Sequence, residues 1–411
     1  MVIAVILAVL AVLSTVVGVW EKLTSKIRNA LIFATILVAI AAASQIVQVI
    51  QKKQQLDTIE EQRRIIEDAN LLNNSNLIEI DEASGGATRG NLAYIVDDEE
   101  PNIFVYAYSE SEYQYEPYIS KPLDIIDDRP CKERLNWGEA CKKGSPTTLN
   151  KKMISDLEGA AIDRDGNLYL TTSHSNKTNG DPDPARALFL KTSLDGHILN
   201  ATRKLKEIIR ELFRNRLGGR AKNPVPEDLN KARQLEIMQI EGLAIDNENR
   251  LYLGFRAPLV DDQYALVLRT SADQIFRDNP QFESFLLLLR GSDGSKYGIV
   301  SLEYDAQNNQ IIILGNDPKH YSGVPPVIWS WNVKDPNIIQ ATEVFNGEIF
   351  SLKPAPGSRP AKPEVLLIPK TDRIHLFFDA EGTGGQLDLI REGMKLKRVR
   401  KDKNPAYNIV R

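Results

Sequence analysis

The feature that most constrains this chain is a hairpin-sized stretch that occurs twice almost intact. The segment EGAAIDRDGNLYL over 158–170 returns as EGLAIDNENRLYL over 241–253. It returns more weakly as EVLLIPKTDRIHL over 364–376, loosely as GIVSLEYDAQNNQIIIL over 298–314, and most divergently as NLAYIVDDEEPNIFVYAY over 91–108. Each copy reads as a strand, a polar turn and a second strand. Asp163, Asp165, Gly166, Asp246 and Asn249 are turn formers. The first strand is rich in small residues, Gly159, Ala160 and Ala161 most clearly, and the second carries bulky alternating ones such as Leu168 and Leu170. A β-propeller accounts for both, because its innermost strands converge on an axis and its next strands pack between blades.

The copies start about 60 to just over 80 residues apart. A four-stranded blade needs roughly 45 residues, so the surplus is insertions. Five copies favour five blades, with six the alternative if 327–353 hides a further unit. One insertion, 201–223, has a helical pattern with Leu205, Ile208, Ile209, Leu212 and Phe213 on one face and a crowd of Lys and Arg on the other. That face is either solvated or meets a membrane surface or acidic partner. A second, broken or short helix is expected over Ser271 to Phe285, limited by Pro280.

The N-terminus belongs to a different class. Residues 1–20 carry no charge, and a second uncharged run covers 29–51. Each is long enough to span a hydrocarbon core of about 30 Å as a helix. The short charged link between them reads as the turn of a transmembrane hairpin, with Trp20 as an interfacial anchor. A signal peptide is the competing reading, weakened by the missing basic n-region. Residues 52–76 follow as a charged helical stalk, and 77–411 form the propeller domain. Lys22, Lys26 and Arg28 in the link favour a cytoplasmic link and a soluble domain outside the cytoplasm, although Lys52, Lys53, Arg63 and Arg64 pull the other way.

Composition narrows the partners. Fifty-one Lys+Arg against 55 Asp+Glu argue against a nucleic-acid-binding chain. Two cysteines and four histidines leave little for a structural zinc site or a disulfide scaffold. Cys131 and Cys141 are candidates for one disulfide, which would suit an oxidising compartment; two unrelated thiols are the alternative. The chain has no GxSxG, GxGxxG in the right context, or P-loop.

At the repeats the chain resembles a bacterial family catalogued as domain of unknown function 3616. The residues that carry the resemblance are DLEGAAIDRDGNLYLTTSHSNK, IEGLAIDNENRLYLGFRAPLVDDQYALVLRT, GIVSLEY and FFDAEG. It spans about 77–400 and implies a propeller distantly similar to phytase-like and esterase-like propellers. It implies no activity.

Hairpin geometry places a candidate site. The residue entering the first strand and the residue leaving the second lie at one end. Glu158 therefore shares a mouth with His174, Glu241 with Arg256, and Glu364 with Asp379; Asp317 leaves its own second strand there. Asp97, Asp98, Glu99 and Glu100 are placed less firmly, with the turn of the first copy as the alternative. Glu158, Glu241 and Glu364 could ring the channel and suit Ca²⁺, or could lock blade to blade. Arg256 and His174 suit a phosphate or carboxylate. Three functions follow: a membrane-tethered module that binds a protein or an anionic small molecule, a metal-assisted hydrolase or phosphoesterase, and a structural envelope protein.

Overall fold

The computed structural model describes residue 24 and residues 83–109, 114–125, 147–148, 152–177, 180–212, 238–291, 293–318, 326–333, 339–341, 352–353, 362–370, 373–379, 385–392, 395–398 and 408–409. The chain divides into two units, Met1–Ser75 and Asn76–Arg411. The transmembrane hairpin, the stalk, and Cys131 and Cys141 lie outside the described residues. Among the described residues, no helix is long and apolar enough to cross a membrane.

Among the described residues, the second unit holds five four-stranded antiparallel sheets, each with its strands in chain order or its reverse, and two short two-stranded ones. Blade 1 comprises Ala83–Arg89, Leu92–Asp97, Asn102–Ser109 and Gln114–Pro122. Blade 2 comprises Leu157–Ile162, Leu168–Thr172, Phe189–Thr192 and Ile198–Thr202. Blade 3 comprises Gln239–Ile245, Arg250–Ala257, Ala265–Ser271 and Glu283–Leu287. Blade 4 comprises Gly298–Asp305, Gln310–Asn316, Val327–Asn332 and Ile339–Ala341. Blade 5 comprises Lys362–Lys370, Arg373–Asp379, Gly385–Glu392 and Lys395–Arg398. The first strand of each sheet touches the first strand of the next, and blade 5 returns to blade 1. The ring is therefore closed, and the first strands surround its axis.

Small residues line the ring because neighbouring backbones nearly touch. A Cβ on Gly85 would come within 2.5 Å of the Glu158 carbonyl oxygen, and one on Gly159 within 2.8 Å of the Glu241 carbonyl. Bulk lies between blades. Tyr94, Val96, Leu168 and Leu170 fill the gap between blades 1 and 2. Tyr169 and Phe189 meet Leu251, Leu253 and Leu268 between blades 2 and 3. Trp329 and Trp331 pack with Tyr252 and Tyr297 between blades 3 and 4, and Phe377 joins Ile95 and Tyr106 between blades 5 and 1. Each such aromatic or aliphatic side chain contributes roughly 1.5–3 kcal/mol by leaving water.

The structure departs from the sequence expectation at two places. The divergent copy over 91–108 is the second and third strand of blade 1, not the first and second. Its first strand is the small-residue run Ala83–Arg89, whose lack of bulk hides it. The segment after Ser271 is not helical: it makes successive turns, Gln274 N–H to Ser271 O at 2.9 Å and Arg277 N–H to Gln274 O at 2.9 Å, before the strand Glu283–Leu287. Asn279 and Pro280 stop any helix from propagating. Within 327–353, Val327–Asn332 and Ile339–Ala341 complete blade 4, and Leu352–Lys353 pairs with Asn408–Ile409 in a separate two-stranded sheet. The helical insertion is present as Leu205–Leu212, after a strand that runs on to Thr202. Leu205 and Ile209 are buried in the core between blades 2 and 3. Residues 213–223 of the expected helix lie outside the described residues.

Candidate functional site

Every first strand carries an irregularity at the same place. The pairing with the second strand skips Ser84 in blade 1, Glu158 in blade 2, Glu241 in blade 3, Val300 in blade 4 and Glu364 in blade 5. A bulge leaves one residue out of the ladder, bends the strand and re-aims the side chain. Five equivalent bulges on five converging strands form a ring at one mouth of the channel. The glutamates expected at this mouth are three of the five bulge residues. Ser84 and Val300 complete the set, and the Ser84 hydroxyl bonds the Leu157 carbonyl of blade 2.

The second strand of blade 3 is also irregular opposite Gln239 and Ile240, where Arg256 is skipped. Arg256 thereby turns back onto the same mouth. Its Nη1 donates to both Glu241 oxygens, at 3.0 and 3.1 Å, and its Nε to the Asp317 carbonyl of blade 4 at 3.4 Å. Arg256 is 3% exposed and Glu241 2%, so this ion pair is out of water and joins blade 3 to blade 4. Its Nη2 is buried and has no hydrogen-bond partner among the described residues. Burial raises the Glu241 carboxyl, and Arg256 opposes that rise. Burial works against the charge on the Arg256 guanidinium, and Glu241, Glu364 and Glu158 outweigh it, so that its net shift is upward.

Glu158 is half-buried. Burial first, and then the charges of Glu241, Asp156, Glu364 and Asp98, push its carboxyl well above the ordinary range. The structure thus brings Glu158, Glu241, Glu364 and Arg256 into one electrostatic cluster. It adds Asp156 and Asp98, which sequence reasoning did not select. Asp156 precedes the blade 2 bulge in a left-handed conformation, φ 62°. Its N–H donates to the Asp98 carbonyl at 2.8 Å, tying blade 1 to blade 2. Its Oδ2 accepts from the Ser173 hydroxyl, from the Ser175 hydroxyl at 3.2 Å, and pairs with Arg186 at 3.4 Å. The signal available was the Asp two residues before the Glu-Gly step. Asp97–Glu100 leave the second strand of blade 1 at this same mouth, since Asp97 pairs with Ala83, and they also form the turn of the 91–108 copy, between the second and third strands of the blade.

His174 is buried apart from the carboxylates. Its ring is 0% exposed, and neither ring nitrogen has a hydrogen-bond partner among the described residues. Burial, and then the Lys206 ammonium, lower it to about 3, so the imidazole is neutral. Lys206 donates to the His174 carbonyl at 2.7 Å and to Asn176 Oδ1 at 2.7 Å, which docks the helical insertion on this loop. A neutral ring offers an anion one N–H donor and no full charge. The Asp317 side chain is 7% exposed and Glu364 8%. Asp379 is placed by its backbone, opposite Lys362, and its side chain lies outside the described residues. Among the described residues, no group of three or more His, Cys, Asp or Glu is placed to hold a metal ion. Both Glu241 oxygens face Arg256 instead, so the calcium ring expected of Glu158, Glu241 and Glu364 gains no support from this geometry.

The closed ring and the bulge-lined mouth define an all-β propeller with a charged, partly buried channel entrance. No family model matches the chain, so the resemblance to the domain of unknown function 3616 assigns it no family. No curated protein matches it either. Solved structures are distantly similar. The structure of the nidogen/laminin complex aligns at 11% identity and TM-score 0.37, covering 78% of this chain and 80% of that one. The major allergen Mala s 1 of Malassezia sympodialis aligns at 12% and 0.39, covering 77% and 78%. An exo-β-1,3-galactanase from Phanerochaete chrysosporium aligns at 9% and 0.41, covering 81% and 67%. The fold assignment rests on the closed ring of five sheets.

Proposed function

We propose that this chain is a membrane-tethered binding propeller whose ligand enters at the bulge-lined mouth. The observation that carries the reading is the buried, unpartnered Nη2 of Arg256 among Glu158, Glu241 and Glu364. A buried donor without an acceptor costs about 1–3 kcal/mol, and a bound ligand atom would remove that cost. The anionic ligand suggested by the sequence is disfavoured by charge, because Arg256 is already matched by Glu241 and the carboxylates around it outnumber the cations. A neutral group with both acceptors and donors, such as a polyol hydroxyl pair or a peptide amide, satisfies Arg256 Nη2 and the Glu158 carboxyl together.

The test screens the full chain in detergent against soluble oligosaccharides and short peptides by thermal shift, followed by calorimetry. A ligand of this site raises the melting temperature of the wild type and loses affinity in Glu158→Gln and Arg256→Lys. Binders indifferent to both substitutions would overturn the reading. The tether is supported by the two uncharged N-terminal runs, and the lysines and arginines of their link favour a propeller outside the cytoplasm. A reporter active only outside the cytoplasm, fused after residue 76, is expected to be active there; activity of a cytosolic reporter instead would reverse the orientation.

A further inference from the structure

The opposite mouth of the channel is formed by the turns of the first hairpins, and it holds a cavity of about 430 Å³ to which all five blades contribute. That volume lies within the range of small-molecule sites. Ala87, Ala161 and Ile245 give it an apolar side, and Glu303 of blade 4 lies among them. Glu303 is 7% exposed. Its Oε1 accepts from the Thr88 hydroxyl of blade 1 at 2.8 Å, a bond between blades that are not neighbours in the ring.

The charges at this mouth are sorted by their neighbours. Three aspartates line it, and each turns its carboxylate into its own hairpin. Asp163 accepts from Asn167 N–H and Nδ2, both at 2.8 Å. Asp246 accepts from Arg250 Nε at 2.6 Å and the Tyr252 hydroxyl at 2.8 Å. Asp305 accepts from Asn308 Nδ2 at 2.7 Å and Gln310 Nε2 at 3.1 Å. The cations come one each from three blades: Arg89 of blade 1, Arg164 of blade 2 and Lys370 of blade 5. The Arg89 guanidinium lies over Gly166, where any Cβ would collide with it. Gly166 is in the left-handed region, φ 86°, so this turn leaves the room that Arg89 occupies.

We propose that this second mouth binds a small organic carboxylate, which hydrogen-bonds the Glu303 carboxyl and is held by Arg89, Arg164 and Lys370. The site is separate from the bulge-lined mouth and stands or falls independently of it. Burial pushes the Glu303 carboxyl up to about 8, against the opposing effect of the Thr88 hydrogen bond. At neutral pH it therefore carries its proton and donates; above that range it is an anion and repels the ligand. The titratable and charged groups that line the cavity with it are Arg89, Asp163, Arg164, Asp246, Tyr304, Asp305 and Lys370.

The test titrates the full chain in detergent with acetate and with succinate by calorimetry at pH 6.5 and pH 9. Saturable binding of at least one is expected at pH 6.5, weakened about tenfold at pH 9, one pH unit above the Glu303 midpoint. Glu303→Gln, which still accepts from Thr88 and donates an amide N–H, is expected to bind equally at both values. The exposed substitution Lys370→Gln is expected to weaken binding severalfold without touching the buried carboxyl. No saturable binding of either acid at pH 6.5 would overturn the proposal, as would a pH dependence that persists in Glu303→Gln.

Discussion

The two mouths of the propeller are ends of the same five strands, yet they treat polar side chains in opposite ways. At the bulge end, each strand expels one residue from its ladder, and glutamates in three blades are turned towards one another. Their charges must then be managed across blades, by the Arg256 ion pair and by the upward shift that burial and the neighbouring carboxylates, Asp156 among them, impose on Glu158. At the turn end, the aspartates close their own hairpins and make few demands on other blades. One end is a tertiary arrangement and the other is local. The difference sets where mutations bite and where sequence reasoning succeeds.

The largest effect is expected from breaking the buried pair at the bulge end. Arg256→Ala leaves Glu241 without its counter-charge in a site 2% exposed, at a cost of about 3–5 kcal/mol. Chemical denaturation should show it directly. The double substitution Glu241→Met with Arg256→Met removes both charges and is expected to recover much of that loss. Failure of the double variant to recover would mean that the pair organises more of the mouth than its two members.

The corresponding break at the turn end is smaller. Asp246→Ala strands the Tyr252 hydroxyl and Arg250, and is expected to cost about 1–3 kcal/mol. A loss as large as that of Arg256→Ala would erase the distinction between the two ends. Gly159→Ala probes the ring between them. The added methyl meets the Glu241 carbonyl and the Thr171 side chain, so overpacking of about 1–3 kcal/mol is expected, with the bulge residues of blades 2 and 3 pushed apart. Unchanged melting would show that the ring can expand locally.

The same contrast explains what could be read from the sequence. The hairpins were legible because their turns are local: Asp163, Gly166 and Asp246 announce themselves over four or five residues. Glu158, Glu241 and Arg256 were legible as occupants of one mouth because period-two strands fix which ends coincide. The bulges were not, because a skipped residue is defined only by its partner strand, and Ser84 and Val300 carry no charge to flag them. Blade 1 was displaced by one strand since Ala83–Arg89 offers Gly and Ala where a pattern needs bulk. Asp156 was missed because its partners, Asp98, Ser173 and Arg186, come from three separate segments. Glu303 had a signal that was not used, a carboxylate within the largely buried strand Gly298–Asp305 rather than at its end.

The smallest effect sharpens the comparison most, because it tests a carboxyl that the turn end does not neutralise locally. Glu303 is raised to about 8 in the folded chain, against about 4.3 when unfolded. Between those values the folded state holds a proton that the unfolded state has released. The stability that this proton confers is complete below about pH 4 and is lost as pH rises through about 8. Melting followed from pH 6 to pH 8 should therefore fall in the wild type, by less than the single-proton limit of about 1.4 kcal/mol per pH unit, and the fall should vanish in Glu303→Gln. Thr88→Val removes the side-chain bond, one of two from Thr88 that favour the ionised form, worth about 0.5–1.5 kcal/mol. The midpoint should then move upward by up to about one pH unit. A downward move would show that Thr88 bonds the protonated form more strongly than the ionised one, and that Glu303 is governed across the channel as the bulge-end glutamates are.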